Sequence, residues 1–122
     1  MKYSSSFTHD LSYGETGEDW VHDILSNGGK VEVKTDRMTH KTGNVFIEYA
    51  CRHKPSGIAT TTANYWYFKF DKMGVALVFE VDKLKDICRK FYFDKEYMRD
   101  GGDNNLSKGF LVPVRILLNK SI

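Results

Sequence analysis

The triplet Glu32-Val33-Lys34 sets a carboxylate and an amine two residues apart, which places both on one side of an extended strand. Asp36 continues that side, and Glu48 sits in a second alternating stretch, Asn44-Val45-Phe46-Ile47-Glu48-Tyr49. Carboxylates grouped near a lysine are the minimum equipment for metal-assisted phosphodiester hydrolysis. Hard oxygen ligands hold Mg²⁺ or Mn²⁺ and leave positions open for water and phosphate. The cation activates the water and stabilises charge on the leaving oxygen. The lysine orients or deprotonates the water, or neutralises the transition state. Taken alone the Glu-x-Lys spelling is common on surface strands, where such a pair contributes roughly 0.2–1 kcal/mol.

The two stretches also fit each other as a hairpin. In the first, Val31 and Val33 alternate with Glu32, Lys34 and Asp36; in the second, Val45, Ile47, Tyr49 and Cys51 alternate with Phe46, Glu48, Ala50 and Arg52. A loop centred near His40 would pair Val33 with Ile47, Val31 with Tyr49 and Glu32 with Glu48. That register predicts one buried apolar face and an opposite face bearing Glu32, Lys34 and Glu48, and a slip of one residue destroys it. Opposed carboxylates repel unless a cation intervenes, so the register calls for a metal or for Lys34.

The elements that must hold these residues follow from periodicity. Trp20, Val21, Ile24 and Leu25 recur with helical spacing from Gly14 onward, and Ser26-Asn27-Gly28-Gly29 is a stop signal. Glu15, Glu18 and Asp19 suit the first turn of that helix. Glu18 shares a face with Val21 and Leu25, which predicts that it borders the buried stripe. The polar residues 1–13 read as a loosely ordered lead-in. Beyond the hairpin, Arg52 to Thr62 is basic and then hydroxyl-rich, broken by Pro55 and Gly57. Arg52, His53, Lys54, Ser56, Thr60 and Thr61 there, with Lys41 in the preceding loop, are the residues able to contact phosphates, although an ordinary loop has the same composition.

Residues 64–70 and 75–81 read as strands flanking a turn at Asp71-Lys72-Met73-Gly74, their aromatic residues serving as core. Asp82 caps a second helix whose Leu84, Ile87, Cys88 and Phe91 form its buried stripe, which makes Cys88 a core thiol rather than a nucleophile. The acidic stretch Asp100 to Asn105 lacks the spacing of a calcium-binding EF-hand loop. A last short strand and a helical turn beginning near Pro113 close the chain.

Composition bounds the rest. At 122 residues, with 41% hydrophobic and 28% charged side chains, the chain has the size and make-up of one globular domain. A net charge of +2 excludes a strongly cationic coat, so nucleic-acid binding would need local patches. Cys51 and Cys88 form no CxxC pair, and the four histidines lack zinc-site spacing. Serine-hydrolase order, a Walker loop, GxGxxG and HExxH are all missing. The opening residues lack the apolar core of a signal peptide and no apolar run reaches transmembrane length, which predicts a cytoplasmic protein with no membrane partner.

With Gly14-Glu15-Thr16-Gly17-Glu18 on a helix ahead of Glu32-Val33-Lys34, the chain resembles the PD-(D/E)XK nuclease superfamily, above all its small archaeal Holliday-junction resolvase-like and phage-encoded members. The likeness extends over about residues 14 to 70, through Thr42-Gly43-Asn44-Val45-Phe46-Ile47-Glu48-Tyr49, Lys54-Pro55-Ser56-Gly57-Ile58 and Ala63-Asn64-Tyr65-Trp66. It implies a restriction-endonuclease-like α/β fold (mixed α+β) with a central mixed β-sheet and flanking helices. It further implies Mg²⁺-dependent cleavage of DNA, including branched DNA, frequent homodimers, and host cytoplasm for phage-encoded members. Glu32 and Lys34 match the acidic-x-lysine element, and Glu18 matches the helix glutamate that assists metal binding. The family's first acidic position has two candidates. Asp23 has a workable spacing but lies inside the helical pattern, whereas Glu48 is favoured by the hairpin register; Asp36 shares the face of Glu32 and is a supporting candidate. A non-catalytic nucleic-acid-binding module of the same fold is the alternative.

Overall fold

The computed structural model describes residues 2–26 and 30–122, with side chains from residue 14 onward except residue 103. The chain divides into a unit of Met1–Lys30 and a unit of Val31–Ile122. The first unit is one helix, α1 (Lys2–Leu25). It starts well ahead of Gly14, so residues 2–13 are helical rather than a loose lead-in. No proline or glycine interrupts that stretch, and propensity therefore does not stop the helix. Ile24 is its buried side chain at 7% exposure, whereas Val21 and Leu25 are 47% and 75% exposed. Glu18 accordingly shares its face with exposed residues, contrary to the expectation from spacing.

The second unit is α+β, with a mixed sheet and helices packed on it. Its strands are β1 (Val31–Asp36), β2 (Asn44–Cys51), β3 (Lys54–Pro55), β4 (Tyr65–Phe70), β5 (Val75–Glu80), β6 (Met98–Gly101) and β7 (Ser107–Pro113). They form a three-stranded sheet ordered β1-β4-β5 and a four-stranded sheet ordered β3-β2-β7-β6. The helices are the single turn α2 (Thr39–Thr42), then α3 (Val81–Tyr92) and α4 (Val114–Lys120).

This topology overturns the predicted hairpin. β1 runs parallel to β4, with Glu32 beside Trp66 and Lys34 beside Phe68. β2 pairs antiparallel with β7, where Val45 meets Val112 and Ile47 meets Phe110. The alternation within each stretch was read correctly, but alternation fixes only which residues share a face. It does not fix the neighbouring strand. β2 finds in β7 a partner whose Phe110 and Val112 are buried, while β1 lies at the edge of the other sheet with Val31 and Val33 38% and 57% exposed.

Both sheets feed one core. Val45, Ile47, Phe110 and Val112 come from the four-stranded sheet, and Trp66, Phe68, Phe70 and Phe79 from the three-stranded one. Leu84, Ile87, Cys88 and Phe91 close it from α3, at the i, i+3, i+4, i+7 spacing that makes a single apolar stripe. Asp82 sits in the first turn of α3 and Arg89 and Lys90 in its last, each suited to the helix dipole, although Glu80 rather than Asp82 occupies the N-cap position. No helix among the described residues is long and apolar enough to cross a membrane.

Burial pushes the Cys88 thiol from an ordinary 9.0 up to about 12, against a smaller opposing pull from Arg89. The thiol is therefore a packed, protonated core group, as its place in the stripe predicts. Between those two values the unfolded chain holds fewer protons than the folded one. Stability must then fall as pH rises through that window, by at most about 1.4 kcal/mol per pH unit. Thermal unfolding followed from pH 8 upward is expected to show this decline, and Cys88→Ala is expected to flatten it. A variant with the wild-type slope would show that the thiol is not the titrating group.

Candidate functional site

In a sheet, paired residues project to the same face. Glu32, Lys34 and Asp36 therefore share a face with Trp66, Phe68 and Phe70, all buried. The polar side of β1 continues the core-lining face of β4 out to the sheet edge, the reverse of the expected arrangement. Glu32 is half-buried there and Lys34 is exposed. The Lys34 ammonium lies over the Trp66 indole, 5.6 Å from the ring centroid, a cation–π contact of about 0.5–1 kcal/mol at exposed sites. The Trp66 Nε1–H is buried and has no hydrogen-bond partner among the described residues.

The other carboxylates are engaged locally. Asp36 Oδ1 accepts the backbone N–H groups of Met38 and Thr39, both at 2.9 Å, and Oδ2 accepts that of Phe46 at 3.4 Å. One carboxylate thus starts α2 and ties the end of β1 to β2. Glu48 is clasped by two serines. Its Oε2 accepts from Ser56 Oγ at 3.0 Å and its Oε1 from Ser107 Oγ at 2.5 Å. Since β2 belongs to the other sheet, Glu48 does not oppose Glu32, and the geometric case for their pairing falls. Glu18 and Asp23 lie on α1, both exposed. Among the described residues no three histidine, cysteine, aspartate or glutamate side chains gather as a metal ion would require.

The predicted phosphate-contacting residues separate into two kinds. Ser56 serves Glu48, and Thr61 Oγ1 accepts the N–H of Ala63 at 3.1 Å, so both hydroxyls have structural work. Lys41 on α2 is exposed, as is Thr60 after the helical turn Gly57–Ala59. Arg52 and His53 form the two-residue connection between β2 and β3, closed by the pairing of Cys51 with Lys54. Both have positive φ, 52° and 65°, as the type I′ turn demands and as Asn-Gly would supply most easily. The chain instead spends those positions on an arginine and a histidine, followed by the exposed Lys54. Arg52→Asn with His53→Gly is expected to stabilise the fold by about 1 kcal/mol, read as a higher urea midpoint.

Sequence reasoning missed two sets of residues. Ser107 and Trp66 act through partners far along the chain, and no local signal marks them. A cleft of about 320 Å³ lies between α3, β2, β7 and the Gly57–Ala59 turn, lined by Tyr49, Ile58, Lys85, Arg89, Tyr92 and Phe110 among others. Lys85 and Arg89 line it from α3, and the helical spacing of that element carries no sign of the cleft. Tyr49 is the extra residue at a β-bulge between Glu48 and Ala50, which turns it toward this cleft. Its hydroxyl is held above the usual phenol range by burial first, then by Tyr92 and Asp100. The chain matches no family model, no curated protein and no solved structure.

Proposed function

We propose that this protein acts on DNA as a divalent-metal-dependent endonuclease of the PD-(D/E)XK type, with Glu32 and Lys34 as its catalytic pair. One observation carries the reading: a lysine held over the Trp66 ring beside a half-buried glutamate, on an edge strand open to a large substrate. In phosphodiester hydrolysis water attacks phosphorus, the P–O bond to the leaving oxygen breaks, and that oxygen takes a proton. Lys34 would offset the charge that builds on the phosphoryl oxygens, and Glu32 would orient the water or take its proton. The Arg52-His53 turn and Lys54 would hold the backbone.

A second reading is a non-catalytic nucleic-acid-binding module. It is favoured by the lack of a three-donor cluster among the described residues and by the strained cationic turn. The deciding experiment incubates the full chain with plasmid, linear and branched DNA in Mg²⁺, Mn²⁺ or EDTA. Cleavage that EDTA abolishes supports the nuclease. DNA retained in a gel shift but intact under every metal condition supports the binding module and overturns the first reading.

A further inference from the structure

The cleft beside α3 has the chemistry of a ligand site, and none of its residues belongs to the Glu32–Lys34 pair. Its wall is aromatic and continuous. Tyr49 and Phe110 have ring centroids 5.0 Å apart at a 36° tilt, and Tyr92 stands edge-on to Tyr49 at 6.2 Å. Tyr92 is 54% exposed, so the wall opens to solvent rather than ending inside the core. Lys85 and Arg89 stand one helical turn apart on the same flank of α3. An apolar ring surface with two adjacent cations is suited to a planar aromatic body that carries a multiply anionic group. At about 320 Å³ the cleft is at the small end of ligand sites, room for one ring system rather than an extended cofactor.

We propose that this cleft binds a single nucleotide, its base against Tyr49, Tyr92 and Phe110 and its phosphate between Lys85 and Arg89. Base–aromatic stacking tolerates any base, since each presents a π-face. Two cations a turn apart favour a terminal phosphate, which offers several acceptor oxygens and up to two charges, over a singly charged carboxylate. Arg89 already pairs with Asp86, an exposed contact worth little, so the guanidinium can exchange that carboxylate for a phosphate. Asp100, close enough to Tyr49 to act on its hydroxyl, disfavours anions at that end and leaves the α3 side for the phosphate. The nucleotide comes either from solution or from the phosphorylated end of a strand.

Calorimetric titration of the full chain in EDTA tests the site without reference to cleavage, so failure of the nuclease reading leaves the result intact. The probes are dAMP and dTMP, the matching nucleosides, inorganic phosphate, and a short oligothymidylate with or without a 5′-phosphate. Either the mononucleotides or the 5′-phosphorylated strand are expected to bind at least about tenfold tighter than the nucleosides, phosphate or unphosphorylated strand. Mononucleotide binding identifies the free ligand as a source; binding by the phosphorylated strand alone identifies the strand end. Lys85→Ala with Arg89→Ala, and separately Tyr92→Ala, are expected to weaken that binding about tenfold or more, with circular dichroism confirming the fold. Equal affinity for phosphorylated and unphosphorylated probes, no binding by any probe, or wild-type affinity in folded variants would each overturn the proposal.

Discussion

Under the proposed nuclease reading, alanine at Glu32 or at Lys34 is expected to reduce divalent-metal-dependent DNA cleavage by about 10²–10⁴-fold while leaving the protein folded. Folding is expected to survive because β1 is an edge strand and Lys34 is exposed. Truncating Lys34 forfeits chiefly its contact with Trp66, about 0.5–1 kcal/mol. The rate effect is far larger because a missing group costs its full contribution at the transition state, where phosphoryl charge peaks. Lys34→Arg refines the test. It keeps the positive charge but replaces a compact ammonium by a planar fork that does not give up its proton. Partial recovery by arginine points to charge neutralisation, and none points to proton transfer or close positioning. Single-turnover cleavage and circular dichroism on the same samples provide the readout. Wild-type rates in either alanine variant would remove that residue from the catalytic pair.

Gly57→Ala is expected to be strongly destabilising for the unit formed by residues 31–122. Gly57 has φ +54°, and a Cβ there would lie 2.3 Å from the Glu48 carbonyl oxygen and 3.0 Å from its carbon. Those are backbone atoms of a central strand and cannot swing aside. Either the Gly57–Ala59 turn shifts or β2 bends. Both outcomes disturb Ile58, which is 4% exposed in the core, and the Ser56 hydroxyl that holds Glu48. Left-handed strain and lost packing together should cost about 2–4 kcal/mol, seen as a fall in the urea midpoint. Gly74→Ala is the control. Its φ is +65° but nothing lies within 4 Å of the added carbon, so only the backbone strain of about 1 kcal/mol remains. Similar losses in both variants would show that crowding against Glu48 is not the cause.

How much of this was legible in the sequence depended on the range over which each feature is encoded. The α3 stripe of Leu84, Ile87, Cys88 and Phe91 could be read because helical contacts repeat every turn. The pair β4 and β5 could be read because a four-residue turn joins neighbouring strands. β1 failed because its partner, β4, lies beyond two intervening strands. The stretch between β1 and β2 resembles a hairpin loop, but Asp36 turns it into α2, whose end Gly43 closes at φ +73°. At the candidate site, Glu32 and Lys34 could be named from their spacing alone. Their setting on Trp66, the serines on Glu48 and the cleft beside α3 all depend on long-range placement that periodicity does not encode.

The parallel pairing of β1 with β4 also has a kinetic meaning. An antiparallel pair such as β4 and β5 closes through a short turn, whereas β1 must wait until β2, β3 and the Gly57–Ala59 turn have brought β4 back alongside it. Loop-closure entropy is met before such a contact returns any free energy. With a hydrogen-bonded strand neighbour on one side only, β1 is also, like β5, an edge strand that opens at lower cost than the central β4. Its amides should exchange with deuterium sooner than those of β4, whose two flanks are both paired. Glu32 and Lys34 thus ride on the last strand of their sheet to arrive, and on one of its two edges.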